Sequence, residues 1–115
     1  MSGNAQAGRA PRTPEAAAVF AALGDPTRLA LVEKLGDGSR RSIAQLAADE
    51  PVTRQAISKH LRVLERARIV RCQRRGRESL YTLDPKPIAN LGTWIDRLST
   101  QWDRSLERLK AFVEG

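Results

Sequence analysis

The stretch EPVTRQAISKHLRVLE, residues 50–65, carries the clearest pattern in this sequence. Its Glu-Pro opening ends the preceding segment, because proline cannot continue a helix, and Thr53 is a favourable cap for a new one. Apolar residues then recur at i, i+4 and i+7, which are the positions of Ile57, Leu61 and Leu64. This spacing predicts an amphipathic helix that begins after Thr53 and packs one face on a core.

A second side of this helix is entirely polar. Its members, which share the helical spacing of the apolar set, are Arg54, Gln55, Ser58, Lys59 and Arg62. Arginine and glutamine can each make two hydrogen bonds to a base edge in the major groove of DNA, to guanine and adenine respectively. A single charged helix is more often only a solvated surface. The interpretation therefore depends on the neighbouring segments.

The segments before this helix predict three shorter helices. Thr13 is the expected cap of the first, Gly24 ends it, and Asp25 is the expected cap of the second. The predicted apolar face of the second, DPTRLALVEKL, consists of Leu29, Val32 and Leu35, with Ala30 and Leu31 alongside. In the third, SIAQLAAD, Ser42 and Gln45 have the spacing of a capping box. A short capped helix, a tight turn and a helix with an exposed polar side predict a helix-turn-helix.

The next stretch, RIVRCQRRGRESLYTLD, changes from a helical period to alternation. Val70 and Cys72 alternate with polar residues, and we expect Cys72 to be a small core residue. Gly76 marks the bend of a hairpin, which would be the wing beside the helix-turn-helix. The wing tip, which can lie over phosphates or enter a minor groove, consists of Arg74, Arg75, Gly76 and Arg77. Together with Thr53 and the polar side of the helix, the tip forms the predicted DNA-binding surface.

A single helical pattern runs from Ile88 to Val113 and would be roughly 40 Å long. So long an apolar stripe extends past a small domain and needs a partner, for which a second copy of the chain is the simplest choice. The stripe residues expected in this homodimer interface are Ile88, Leu91, Trp94, Ile95, Leu98, Trp102, Leu109 and Phe112.

The predicted organisation is a single domain of the α+β class, mainly α with a small β-hairpin and about five helices. Residues 1–12 are expected to be a disordered tail. Residues 13–84 would form the winged helix-turn-helix DNA-binding part. Residues 85–115 would form the long C-terminal dimerisation helix, which belongs to the same domain.

The positive charge is concentrated in one window. The net charge is +7 and the isoelectric point is about 10.7. Residues 53–77 hold nine lysines and arginines and one acid, whereas the other 90 residues hold 11 basic and 12 acidic side chains. A concentrated basic patch is typical of a surface that binds a polyanion. Double-stranded DNA is therefore the expected partner.

Composition argues against several classes of protein. Hydrophobic residues make up 41% of the 115 residues, which is enough for one modest core. No apolar run reaches 18 residues, and the first 13 residues lack the apolar segment of a signal peptide. Cys72 is the single cysteine, so it has no internal disulfide partner. We expect a soluble cytoplasmic protein without a membrane partner.

A catalytic site is not expected, because the chain has one histidine, one cysteine and no glycine-rich phosphate loop. The histidine, His60, lies beside the core stripe of its helix and is interpreted as a packed or hydrogen-bonded structural residue. No metal ligand or cofactor is predicted. Two other functions remain open. One is a winged helix that binds an acidic protein and prefers no DNA sequence; the other is a protein that coats all duplexes with equal affinity.

Four segments resemble the ArsR-type winged helix-turn-helix transcriptional regulators: FAALGDPTRLALVEKL, SIAQLAAD, QAISKHLRVLERARIV and GRESLYTLD. The resemblance covers about residues 14–113. It implies that residues 53–67 are the recognition helix, and that the first and last helices join two chains. The first helix would then add Val19 and Phe20 to the dimer interface. Most members repress transcription and leave DNA when an effector binds, which implies a repressor with a small-molecule effector of unknown chemistry.

The sequence departs from the metal-sensing members of that family. Those members place two cysteines in the third helix, where this chain has Ser42 and Ala44. A hydroxyl and a methyl group cannot replace two thiolates as ligands for a soft metal. Other members bind zinc across the last helix with acids and histidines, and the last helix of this chain has no histidine. The chain therefore resembles the metal-independent branch.

Overall fold

The computed structural model describes residues 10–114, and this part contains five helices and a three-stranded antiparallel sheet. The predicted α+β winged helix-turn-helix fold is confirmed. Most of the predicted tail, residues 1–9, lies outside the described residues. In chain order the elements are α1 (Thr13–Leu23), α2 (Pro26–Leu35), β1 (Arg41–Ser42), α3 (Ile43–Ala47), α4 (Arg54–Arg66), β2 (Val70–Arg75), β3 (Glu78–Leu83) and α5 (Lys86–Glu114).

Three helices begin at the caps that the sequence predicts. The Asp25 carboxylate accepts hydrogen bonds from the first-turn amides of α2, at 2.9 and 3.0 Å. Ser42 and Gln45 form the capping box of α3, and the Thr53 hydroxyl accepts from the Ala56 amide of α4 at 3.1 Å. Each cap satisfies amides that have no partner within their own helix. The caps therefore fix where α2, α3 and α4 begin.

The start of α1 differs from the prediction. The cap position is Arg12, and Thr13 is already the first helical residue. The Glu15 carboxylate accepts a hydrogen bond from the Arg12 backbone amide at 2.9 Å. Because this carboxylate satisfies the Arg12 amide, the start of α1 does not require the Thr13 hydroxyl as a cap.

The core lies where α2, α3 and α4 meet the sheet. Leu31, Leu35, Leu46 and the α4 stripe are fully buried. The prediction for α2 was wrong at Leu29, whose surface is 47% exposed. Leu29 lies about 200° around the helix from Leu31, since each residue adds about 100°. The buried line therefore runs through Leu31 and Leu35, with Val32 partly buried beside it.

The sheet has the order β1-β3-β2. The β2–β3 hairpin pairs Val70 with Leu83 at its base and Arg75 with Glu78 at its tip. Its two-residue turn begins at Gly76, whose φ of 60° suits glycine, as in type II′ hairpins. The sequence did not predict β1, because two residues are too short to show alternation. This strand pairs with β3 and leads directly into the cap of α3.

Cys72 is a second correction, because its side chain is exposed rather than a core residue. It is paired across the hairpin with Tyr81, which is 7% exposed and does belong to the core. Every residue of β2 after Val70 is exposed, and β2 is an edge strand of the sheet, whereas Tyr81 lies on the central strand β3. Burial, followed by the contact with the Cys72 thiol, raises the pKa of Tyr81 to about 12.

The last helix has a packed half and a projecting half. Near its start Leu91 is buried, and the Trp94 ring contacts Phe20 of α1 edge to face, with centroids 5.8 Å apart. From Ser99 onward every described residue is exposed. At 29 residues, α5 contributes to the long axis of the molecule, 68 Å against 38 and 23 Å. None of the helices within residues 10–114 combines the length and apolarity that crossing a membrane requires.

Candidate nucleic-acid interface

Lys34 of α2 contacts both α3 and the turn between α3 and α4. Its ammonium group lies 2.9 Å from a carboxylate oxygen of Glu50 and donates to the Leu46 carbonyl at 3.0 Å. The two charged side chains are only 19% and 12% exposed. A shielded ion pair with an added hydrogen bond fixes geometry better than a surface pair does. Sequence patterns missed this contact, because the partners are 16 residues apart.

The helix α4 has the two faces that the sequence predicts. Ile57, Leu61 and Leu64 have no exposed surface. The polar side lies outward, with Ser58 partly buried and the others exposed: Arg54, Gln55, Lys59 and Arg62. The cap residue Thr53 is also exposed. The core contacts therefore hold the helix from behind and leave its N-terminal polar residues accessible to a partner.

The cations of this face are not neutralised by the protein. Within residues 10–114, Arg54, Lys59 and Arg62 form no ion pair. The positive charge of Arg62 opposes the rise in the pKa of Tyr81 in β3, as expected for a side chain near the hairpin. Unpaired cations on an exposed helix retain their full attraction for phosphate groups.

The arginines of the wing differ in whether they form an ion pair. Arg71, at the base, lies 2.8 Å from the carboxylate of Asp84, which is mostly buried. In the part of the chain that the structure covers, the tip arginines Arg74, Arg75 and Arg77 have no such partner, and all are exposed. Because β2 contacts α4, the exposed cations of the helix and those of the wing tip lie on neighbouring elements.

His60 is a structural residue, as predicted, although its partner was not foreseen. Its Nδ1 atom lies 3.2 Å from a guanidinium nitrogen of Arg28 and 3.8 Å from the carboxylate of Asp25. Between residues 10 and 114 there is no group of three histidine, cysteine or acidic side chains that could hold a metal ion. Sequence patterns could not have predicted the contact between Arg28 and His60, because the two residues are 32 positions apart.

The candidate dimer residues fall into two groups. Leu91 is buried inside its own chain, while Val19, Ile88, Trp94 and Leu98 are partly buried. The exposed group consists of Phe20, Ile95, Trp102, Leu109 and Phe112. Leu106 and Val113, which were not among the expected interface residues, are equally exposed. The uncovered apolar surface is therefore greatest in the second half of α5.

Comparisons with known proteins agree with this architecture. A family described as a helix-turn-helix domain matches residues 23–73. The chain is 43% identical over 104 residues to the HTH-type transcriptional regulator Rv2034 of Mycobacterium tuberculosis, covering 90% of this chain and 92% of that protein. It is 38% identical over 72 residues to a transcriptional repressor SmtB homolog of Synechocystis, covering 63% and 54% of the two chains.

Among solved structures, the chain is similar to an ArsR-like transcriptional regulator from Rhodococcus sp. RHA1. The TM-score is 0.76 at 36% sequence identity, and the match covers 86% of this chain and 92% of that one. Sequence and fold thus agree over nearly the whole chain, and the relatives are regulators rather than enzymes. The chain belongs to the ArsR-type family of winged helix-turn-helix regulators and is a DNA-binding transcriptional regulator.

Proposed function

We propose that the protein is a homodimeric repressor that binds an inverted-repeat operator. The observation that carries this proposal is the set of exposed cations on the outward side of α4 and on the neighbouring wing tip, which lack ion-pair partners within residues 10–114. Repression is favoured by the resemblance to the SmtB homolog of Synechocystis, which is named a transcriptional repressor.

The α4 helix would enter the major groove and read the bases. Arg54 and Gln55 stand in its first turn, which is the part of a recognition helix that reaches base edges. Arg54 suits guanine and Gln55 suits adenine, each through two hydrogen bonds. Ser58 and Lys59 follow one turn later, at the edge of that reach.

Phosphate contacts would supply much of the affinity. Arg62 lies two turns into α4, too far along to reach the base edges that Arg54 reaches, and its exposed guanidinium suits a phosphate. The wing tip, with Arg74, Arg75, Gly76 and Arg77, would lie over the backbone or in the adjacent minor groove. Such contacts orient the protein on DNA without reading its sequence.

Dimerisation would cover the apolar face of α5. Trp102 and Phe112 are 63% and 85% exposed, which is costly for aromatic side chains in water. A second α5, together with Phe20 of α1, would bury this face. A two-fold dimer would present two recognition helices to half-sites about one DNA turn apart, roughly 34 Å. Residues 13–84 would then bind DNA and residues 85–115 would join the chains.

Selection from a pool of random duplexes tests the proposed function. The protein is expected to enrich an inverted repeat whose half-sites are separated by about one DNA turn, and a Gln55→Ala variant should enrich a looser motif. Binding without enrichment of any motif would instead support the DNA-coating function. Absence of binding at low salt would support a winged helix that binds an acidic protein.

A further inference from the structure

Arg28, at the start of α2, connects three helices through one guanidinium group. Its Nε donates to the carbonyl of Ala22 and its Nη2 to that of Ala21, at the C-terminal end of α1. Its Nη1 lies 3.2 Å from Nδ1 of His60, on α4. The last carbonyls of a helix have no partner within it and carry partial negative charge, so a cation suits them. One side chain thus joins the end of α1 to the recognition helix.

The contact with Arg28 bears on which nitrogen of the His60 ring carries the proton. A guanidinium has donors only, so a hydrogen bond between Arg28 and His60 requires Nδ1 to accept and the ring proton to be on Nε2. Asp25 completes the group: its carboxylate caps α2 and lies 3.8 Å from the same Nδ1. The Arg28 backbone amide, which donates to this carboxylate, is the main reason that the pKa of Asp25 is lowered. Asp25 is therefore a charged neighbour that balances the guanidinium.

The position of this cluster matters because α1 and α4 would have different tasks. In the proposed dimer α1 faces the partner chain, and α4 faces DNA. The position of α4 relative to α1 then sets the separation of the two recognition helices. We propose that Arg28 and His60 are positioning residues for operator binding, which fix the recognition helix to the dimer-forming helix so that both half-sites are engaged together. This inference rests on the proposed dimeric function.

The test compares two duplexes that the selection experiment would provide. One is the full inverted repeat, and the other is the same duplex with one half-site scrambled. Arg28→Met removes the donors but keeps a chain of similar length, and we expect the affinity ratio of full to half duplex to fall about tenfold. Arg41→Met is the matched control, because the Arg41 side chain makes its hydrogen bonds to Ser39 and Asp37, in the turn before β1. That variant should keep the wild-type ratio.

Two His60 variants separate positioning from general stability. The side-chain oxygen of His60→Asn can accept the Arg28 hydrogen bond in place of Nδ1, so this variant should keep most of the ratio. His60→Leu fills similar space without an acceptor and should reproduce the loss seen with Arg28→Met. Because His60 is the only histidine, ¹⁵N NMR of its ring reports the tautomer directly. The expected signal is an unprotonated Nδ1, which should change in Arg28→Met.

Each outcome decides the inference. A lowered ratio in Arg28→Met and His60→Leu, restored in His60→Asn, supports it. A wild-type ratio in a folded Arg28→Met variant whose ring signal has changed overturns it, as does a protonated Nδ1 in the wild-type protein. If the wild-type protein binds both duplexes equally, the proposed function itself fails and the positioning role fails with it.

Discussion

At the scale of single residues, we expect some side chains of the basic surface to read bases and others to bind phosphate. Gln55 and Arg75 represent the two tasks. Gln55 stands in the first turn of α4, and we expect it to reach base edges, whereas Arg75 stands at the wing tip and is expected to contact the DNA backbone. The two substitutions below should therefore change different measured quantities.

Gln55→Ala should reduce discrimination between the selected operator and a scrambled duplex about tenfold, since a two-bond contact with adenine would be lost. Alanine is a good helix former, so α4 should remain intact. Competition binding by fluorescence anisotropy measures the ratio. Arg66→Ala, in the last turn of α4, is the control and should leave it unchanged. Full discrimination in Gln55→Ala would remove this residue from the base-reading set.

Arg75→Ala should weaken binding to all duplexes alike. The slope of log affinity against log salt concentration is negative, and its magnitude should fall by about 0.9, which corresponds to one phosphate contact. Arg71→Ala provides the comparison, because Arg71 is already paired with Asp84 and should change the slope less. Titrations at several salt concentrations give both slopes. Equal slopes for wild type and Arg75→Ala would mean that the wing tip does not contact the DNA backbone.

At the scale of elements, α4 ends in a strained conformation. Arg68 has a φ of 62°, a left-handed value that favours glycine. Its amide donates to the Glu65 carbonyl, and the Ile69 amide donates to the Leu64 carbonyl, both at 2.9 Å. These bonds form the Schellman pattern, in which glycine is the usual residue at this position. The sharp turn lets β2 begin immediately and so places the wing beside α4.

Arg68→Gly should raise the free energy of unfolding by up to about 1 kcal/mol, because relief of the left-handed strain exceeds the added entropy of the unfolded chain. Urea denaturation at fixed protein concentration measures the change. Arg66→Gly, inside the helix, removes the same charge and should lower stability by about 1 kcal/mol. A loss of stability in Arg68→Gly would show that the arginine side chain contributes more than its backbone costs.

Whether a feature of these elements can be predicted from the sequence depends on how far apart along the chain the interacting residues are. The caps Asp25, Ser42 and Thr53 could be predicted, since each cap and its amide are within three residues. The exposure of Cys72 could not, because alternation gives the face of a strand but not what covers it. The Arg28–His60 contact is invisible to any local pattern, since only the folded chain brings its partners together.

At the scale of the whole molecule, the second half of α5 is the feature that a single chain leaves unexplained. Its apolar stripe is exposed along about two helical turns, at Trp102, Leu106 and Leu109, while the core of the chain lies elsewhere. A second copy of the chain would cover this stripe, and a partner fixed in this way would set the spacing of the two DNA-binding surfaces.

If the proposed dimer forms, Leu106→Glu should convert it to monomers and lower operator affinity at least about tenfold, because a carboxylate would be buried in the apolar interface. The fold of the monomer should persist, since Leu106 is exposed in the single chain. Light scattering and circular dichroism measure the two properties. Thr100→Glu, on the other side of α5, adds the same charge and should remain dimeric. A dimeric Leu106→Glu would place the interface elsewhere.

The central claim is that the basic surface of α4 and the wing reads a specific DNA sequence. The most direct measurement is fluorescence anisotropy with the selected duplex and a scrambled duplex of equal length and composition, each at two salt concentrations. The account predicts a preference on the order of a thousandfold for the selected duplex, with affinity falling steeply as salt rises. Equal affinity for both duplexes at both salt concentrations would contradict it.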